Sequence, residues 1–191
     1  MLLFIKLTNL AGTYFSNKDK KKGQQDSLQV YMQHTFGYLD CFPDTSNTHY
    51  GSNCAAAGEL MDHQLFYCQY LQLVRDLKEK RTFTNIEKNI YEAFNDIPTC
   101  TELCVLILYA QAISHPYIHL ACGTNSPTQN ALDMGPVYEN VKTHLCKIIA
   151  DPKLLISPSA SWETGSLDGK PWENPEYVYV VLQEASWYPH H

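Results

Sequence analysis

Residues 34–54 gather the side chains of this chain that are best suited to chemistry. The run HTFGYLDCFPDTSNTHYGSNC contains two histidines, two cysteines, two aspartates and four aromatic residues. Imidazole, thiolate and carboxylate groups are the ligands that metals use in proteins, and they also serve as acids, bases and nucleophiles. The stretch is rich in turn-forming residues as well, so the sequence predicts a loop that carries a site.

Zinc is the first chemistry to weigh. The candidate ligands in the run, His34, Cys41, His49 and Cys54, are separated by seven, eight and five positions. Structural zinc sites use closely spaced pairs, so this spacing matches no zinc-binding pattern. We therefore expect neither a metal nor another cofactor, and a zinc-stabilised interaction module built on these residues stays an alternative.

Metal-assisted hydrolysis is the second chemistry. Asp40 and Asp44 are candidates for carboxylates that hold a divalent cation. Asp44 lies beside turn residues, where an aspartate usually bonds the local backbone. The sequence contains neither the serine-nucleophile motif nor a glycine-rich phosphate loop. We therefore expect a protein that is not an enzyme, and no catalytic residue can be named.

Charge and cysteine usage restrict the possible partners. Residues 84–191 carry five Lys or Arg against twelve Asp or Glu, within a net charge of −6 for the whole chain. Nucleic-acid binding is therefore not expected, because phosphate contacts need clustered basic residues. Seven scattered cysteines are typical of reduced thiols in an intracellular protein of the cytoplasm or nucleus. A protein partner remains possible, and the sequence does not define an oligomeric state.

Membrane insertion and secretion are not expected either. The N-terminal run MLLFIKL has no basic region before its apolar residues, and no cleavage site follows it. The apolar stretch Leu103–Ile113 is about half as long as the ~20 residues that cross a bilayer.

Apolar periodicity predicts a mainly α fold, in which an irregular bundle of four to five helices surrounds a buried central helix at about 100–114. Residues 55–80 have one apolar face, and the pairs Thr84/Glu87 and Thr99/Glu102 have the spacing of capping boxes. His115-Pro116 is expected to end the central helix. A further helix is expected from near Pro136 to Asp151, and another after Asn174, where a strand is the alternative.

Domain organisation follows from the same pattern. Residues 1–33 are mostly polar and rich in lysine, so they are expected to form a partly disordered lead-in. Residues 34–186 are expected to form a single helical domain, and residues 187–191 a tail that resembles a chain cut short. The N- and C-terminal arms are expected to be irregular.

Four stretches, taken together, resemble a family of large proteins of unassigned function from mushroom-forming fungi, which look like products of multicopy, mobile-element-like genes. The resemblance covers about residues 34–182 and is carried by HTFGYLDCFPDTSNT (34–48), RTFTNIEKN (81–89), DIPTCTEL (96–103) and TGSLDGKPWE (164–173). The family is distantly similar to hAT-type transposases, in which a conserved segment precedes helices that pack on a ribonuclease-H-like core.

The resemblance implies ancestry more than activity. Residues 45–50 lack the Arg-Trp pair of such transposase segments, and neither their catalytic carboxylates nor their dimerisation region has a counterpart here. We therefore expect a non-catalytic helical fragment derived from a fungal mobile-element protein. The alternative is a metal-assisted, transposase-like remnant of a nucleic-acid enzyme that needs a second chain.

Overall fold

The computed structural model describes residues 3–18, 23–45, 51–122 and 131–187, and within these ranges it is mainly α-helical without a β-strand. The predicted fold class is therefore confirmed. In chain order the helices are α1 (Leu3–Phe15), α2 (Gln25–Phe36), α3 (Ser52–Asp62), α4 (Gln64–Asp76), α5 (Asn85–Phe94), α6 (Ile97–Tyr109), α7 (His115–Cys122), α8 (Gly135–Ala150), α9 (Lys153–Ile156), α10 (Trp162–Gly165) and α11 (Pro175–Trp187).

The chain divides into two compact units, Met1–Leu106 and Ile107–His191, where the sequence predicts one domain over residues 34–186. The helices outnumber the predicted four to five, partly because α9 and α10 are single turns of four residues. Residues 188–191 of the predicted tail lie outside the described residues.

In the first unit, α1 belongs to the core, although the sequence predicts a polar lead-in over residues 1–33. Leu7, Ala11 and Phe15 follow one another at intervals of four, lie on one face of the helix and are all buried. Helix α2 buries Leu28 and Met32 in the same way. The prediction is wrong for these helices because α1 begins in the apolar run at the N-terminus, and because two apolar residues on one face are enough to bury the otherwise polar α2.

Aromatic rings fill the centre of this unit. Phe15 lies 4.8 Å from Tyr67 of α4 and 5.6 Å from Phe42, measured between ring centroids. Phe15 and Tyr67 are fully buried. Packed aromatic pairs contribute beyond the area that they bury, so they stabilise α1 against α4 and the segment around Phe42.

The two predicted capping boxes have different outcomes. At α5 the Thr84 hydroxyl accepts from the Glu87 amide and the Glu87 carboxylate accepts from the Thr84 amide, which confirms the first. At α6 the helix begins at Ile97 and the Asp96 carboxylate accepts from the Thr99 amide, so the second is wrong. The Glu102 carboxylate instead accepts from the backbone amide of Phe4, in the first turn of α1.

A long helical stretch runs from Ile97 to Cys122. The sequence predicts that this helix ends at His115-Pro116, and that prediction is wrong because the helix continues past the proline. A π-helical turn, Ala110–Ser114, precedes the proline, and the His115 amide donates to the Ala110 carbonyl. This wider turn accommodates Pro116, which lacks an amide hydrogen and would clash with a carbonyl four residues earlier.

Burial along this stretch is one-sided. Leu103 and Ile107 are fully buried, whereas Val105 is 61% exposed and Tyr109 is 39% exposed. By length and composition alone, Ile97–Cys122 is long and apolar enough to cross a membrane. Half of its most apolar 18 residues are buried within the protein. The core helix of a soluble protein has the same properties, so this observation is weak evidence for a membrane span.

In the second unit, the loop between α10 and α11 is fastened to the π-helical turn. The Leu167 amide donates to the Ala112 carbonyl at 2.8 Å. In a regular α-helix this carbonyl would accept from residue 116, but Pro116 has no amide hydrogen to donate. The Gln111 side chain accepts from the Asn174 amide at 3.0 Å and donates to the Asn174 side chain. These bonds fix both ends of the loop.

Candidate functional site

The chain turns sharply where the chemically rich run begins. Helix α2 ends at Phe36, and Gly37 adopts a left-handed conformation with φ of 80°, which glycine tolerates best. The segment that follows passes beside α1, and the hydroxyl of Ser16, directly after that helix, donates to the Phe42 carbonyl. A side chain at Gly12 would overlap Thr45, so glycine permits this close approach.

An acid–base cluster lies beside this turn. The Tyr38 hydroxyl is 3.4 Å from Nε2 of His63, and Nδ1 of His63 is 3.5 Å from Oε1 of Glu59. The Tyr67 hydroxyl donates to the same Glu59 oxygen at 2.7 Å. Asp62 adds a second carboxylate, 3.6 Å from Nδ1 of His63. An exposed hydroxyl, an imidazole and a buried carboxylate therefore follow one another.

The environment changes the acidity of two members of the cluster. Burial raises the pKa of the Glu59 carboxyl, although the Tyr67 hydrogen bond and His63 oppose that effect. Burial and the nearby carboxylates of Glu59, Asp40 and Asp62 raise the pKa of Tyr38. A tyrosine with a raised pKa keeps its proton and is a poorer nucleophile, so this arrangement does not activate Tyr38.

The outer side of the cluster is an aromatic surface. Phe36 is 39% exposed and Tyr38 is 47% exposed, and their rings are nearly parallel with centroids 5.6 Å apart. The Phe36 ring packs against Phe66 at 4.9 Å and against the His63 ring at 5.3 Å, measured between ring centroids. Both rings are therefore partly packed against their neighbours and partly exposed to solvent.

The predicted zinc ligands occupy unlike environments. His34 is exposed in the last turn of α2, Cys41 is exposed and accepts from Gln29, and Cys54 is buried in α3. His49 lies outside the described residues. Among the described residues, no three His, Cys, Asp or Glu side chains form a group that could hold a metal ion.

The two predicted carboxylate ligands have separate neighbours. Asp40 accepts from the Cys41 amide and acts electrostatically on Tyr38 and Glu59. Asp44 lines a cavity of about 600 Å³ beside α1, which Cys41 also lines. A second cavity, of about 510 Å³, lies between α1 and α5 and contains none of the predicted ligands.

Glu59 and Tyr67 were not predicted as site residues, although one feature of the sequence points to them. Glu59, His63 and Tyr67 follow one another at intervals of four residues, which places them on one side of a helical stretch. The end of α3 and the start of α4 both fall at His63, and the three groups remain together across that break.

A second polar group, in the Ile107–His191 unit, was also missed. One oxygen of Glu173 lies 3.2 Å from Nδ1 of His115 and 3.5 Å from Nε2 of His119. Nδ1 of His119 is 4.0 Å from Asp168, whose other oxygen accepts from Ser166 at 2.8 Å. The carboxylate of Glu173 therefore bridges two imidazoles, and the group fastens the loop to α7.

The chain matches no protein-family model, no curated protein and no solved structure. The resemblance to proteins of mushroom-forming fungi therefore stays a prediction from the sequence.

Proposed function

We propose that this chain is a non-catalytic helical part of a fungal mobile-element-derived protein, and that it acts by binding another protein. The ancestry rests on the four stretches that resemble the fungal family. The mode of action rests on the exposed aromatic pair Phe36 and Tyr38, because exposed aromatic residues are enriched where proteins bind one another.

The use of the buried acidic groups carries the non-catalytic part of the proposal. Glu87 is 2% exposed and accepts hydrogen bonds of 2.7 Å from each of three donors, the Tyr14 hydroxyl, the Lys78 ammonium and the Thr84 amide. A general acid or base must reach a substrate, whereas every one of these bonds holds the fold together. Glu59 is likewise bonded to Tyr67 inside the first unit.

Cysteine chemistry supports an intracellular location for this function. All seven cysteines are free thiols, and Cys54 and Cys68 have pKa values that burial raises, for Cys68 to about 11. Free thiols persist in the reducing environment of the cytoplasm and nucleus. We therefore propose that the protein and its partner are in the cytoplasm or nucleus.

An activity assay tests the proposal. The purified protein is incubated with single- and double-stranded DNA and either Mg²⁺ or Mn²⁺, and we expect neither cleavage nor strand joining. The matched control is a double variant, Asp40→Asn with Asp44→Asn, purified identically. Cleavage by the natural chain that this double variant lacks would overturn the proposal in favour of the transposase-like remnant.

Metal analysis tests the zinc-module alternative separately. We expect protein expressed in zinc-supplemented medium to contain far less than one zinc ion per chain. Stoichiometric zinc that is lost in Cys41→Ser and Cys54→Ser, but retained in a Cys146→Ser control, would favour the zinc-stabilised module. Cys146 is exposed on α8 and is not one of the candidate ligands.

A further inference from the structure

The exposed aromatic pair lies next to an excess of negative charge. We call the surface formed by Phe36, Tyr38, Asp40, Asp62 and His63 the 36–63 face. Two exposed carboxylates flank the Tyr38 ring: Asp40 follows Tyr38 by two positions, and Asp62 lies 3.6 Å from Nδ1 of His63, whose Nε2 is 3.4 Å from the Tyr38 hydroxyl. Within the described residues, the ion pairs of Glu59 and Asp62 are with His63 and not with a lysine or an arginine.

The rings of this face are already fixed in place. Phe36 packs against both Phe66 and His63, and Tyr38 is stacked on Phe36 while its hydroxyl faces Nε2 of His63. The Asp40 carboxylate is oriented by the backbone amide of Cys41, at 2.7 Å. A ligand therefore has little side-chain entropy to remove when it binds, which favours binding on a small surface.

Two independent features of the face select the same ligand group. An open aromatic ring attracts a cation through its negative face, and a carboxylate attracts a cation that can donate hydrogen bonds. A guanidinium group satisfies both, since it is planar, stacks on aromatic rings and presents several donors to carboxylates. A phosphate group would be repelled by the same carboxylates, which disfavours nucleic acid as the ligand.

We propose that the 36–63 face binds an arginine side chain within a basic segment of a partner protein. The guanidinium stacks on the exposed ring of Tyr38 and donates to the carboxylates of Asp40 and Asp62. This inference rests on the proposed function, because it names the chemistry of the partner that the protein-binding role requires.

Peptide titration monitored by NMR tests the inference. A blocked peptide of alternating arginine and glycine is added to the uniformly ¹⁵N-labelled full chain at pH 7.5 and low salt. We expect amide signals of residues 36–41 and 59–66 to shift progressively. The same peptide with citrulline in place of arginine keeps the shape and loses the charge, and it should leave these signals unchanged.

Matched variants locate the binding. Tyr38→Leu should raise the dissociation constant of the peptide about two- to fivefold, as expected for one exposed cation–π contact. The double variant with Asp40→Asn should raise the dissociation constant about tenfold relative to the natural chain, and its binding should depend less on salt concentration. Tyr179→Leu with Glu176→Gln removes an exposed tyrosine and an exposed carboxylate from α11 and should bind as the natural chain does.

Three results would overturn the inference. One is no shift at the 36–63 face, and another is an equal shift with the citrulline peptide. The third is self-association without peptide that Tyr38→Leu abolishes, which would assign the face to a second copy of this chain. A negative titration leaves the DNA-cleavage result untouched, so failure of this inference is distinguishable from failure of the non-catalytic proposal.

Discussion

The hydroxyl of Tyr14 donates a 2.7 Å hydrogen bond to the carboxylate of Glu87, and so joins α1 to α5 between residues 73 positions apart in the sequence. Both side chains are buried. Lys78 donates to the same carboxylate from the chain that follows α4. One glutamate therefore connects three separate parts of the first unit, and its charge state affects all of them.

The first prediction concerns this glutamate and pH. Burial alone would raise the pKa of Glu87, but the bonds from Lys78, the Thr84 amide and Tyr14 outweigh burial and lower it. As the pH is lowered, Glu87 therefore takes up its proton in the unfolded chain before it does so in the folded chain. The stabilisation by the Glu87 carboxylate is complete above the ordinary pKa of a glutamate and is lost as the pH falls through the lowered pKa. Glu87→Gln should cost about 1–3 kcal/mol of unfolding free energy at pH 7.

Urea unfolding at several values between pH 7 and pH 3 provides the measurement. The difference in unfolding free energy between the natural chain and Glu87→Gln should shrink toward pH 3. Taking this difference cancels the carboxylates that the two proteins share. A difference that stays constant over the whole range would show that the charge of Glu87 does not matter.

The second prediction uses Glu59, whose pKa burial raises. Between the ordinary pKa and the raised pKa, Glu59 keeps its proton in the folded chain but has lost it in the unfolded chain. Glu59 therefore lowers the free energy of unfolding as the pH rises through the raised pKa. Glutamine at this position retains an oxygen that accepts from Tyr67. Relative to the natural chain, Glu59→Gln should therefore gain stability as the pH rises above the ordinary pKa of a glutamate, opposite in sign to Glu87→Gln. If the difference in unfolding free energy from the natural chain changed with pH in the same direction for both variants, the assigned pKa directions would be wrong.

Local sequence signals predicted several helix ends well. Helix α8 begins at Gly135 and ends before Asp151-Pro152, and α11 begins at Pro175, as the prolines and polar caps indicate. Such signals act within a few residues, because proline restricts its own backbone and the residue before it. The sequence alone was sufficient at these two helices, whereas at Pro116 the helix continues through a turn that a distant loop stabilises.

Features set by tertiary packing were not predictable in the same way. The π-helical turn before Pro116 is stabilised by the Leu167 amide, which comes from a distant loop. The pairing of Tyr38 with His63 likewise depends on the turn at Gly37 and spans 25 positions. Only the four-residue spacing of Glu59, His63 and Tyr67 was visible in the sequence, and it does not show which loop covers them.

The third prediction concerns thiol reactivity. Burial raises the pKa of Cys68 to about 11, so at pH 8 only about one thiol in a thousand is in the reactive thiolate form. Cys146 is exposed. Brief iodoacetamide labelling followed by peptide mass spectrometry should modify Cys146 and leave Cys68 intact, until urea unfolds the chain. Equal labelling of the two cysteines in the folded protein would contradict the raised pKa of Cys68, whose side chain is half-buried.

The fourth prediction concerns the loop that is fastened to the π-helical turn. Gln111 is 3% exposed, and its side chain accepts from the Asn174 amide. Gln111→Ala removes that partner and should destabilise the second unit by about 1–3 kcal/mol. Asn140→Ala, at an exposed position of α8, is the control and should change stability by about 0.5 kcal/mol or less.

Hydrogen exchange separates the contributions of the two fastenings. The Leu167 amide donates to the Ala112 carbonyl at the other end of the loop, and that bond does not involve the Gln111 side chain. In Gln111→Ala the Asn174 amide should therefore exchange faster while the Leu167 amide stays protected. If both amides lost protection equally, the loop would open as one cooperative piece, and the two bonds would not act independently.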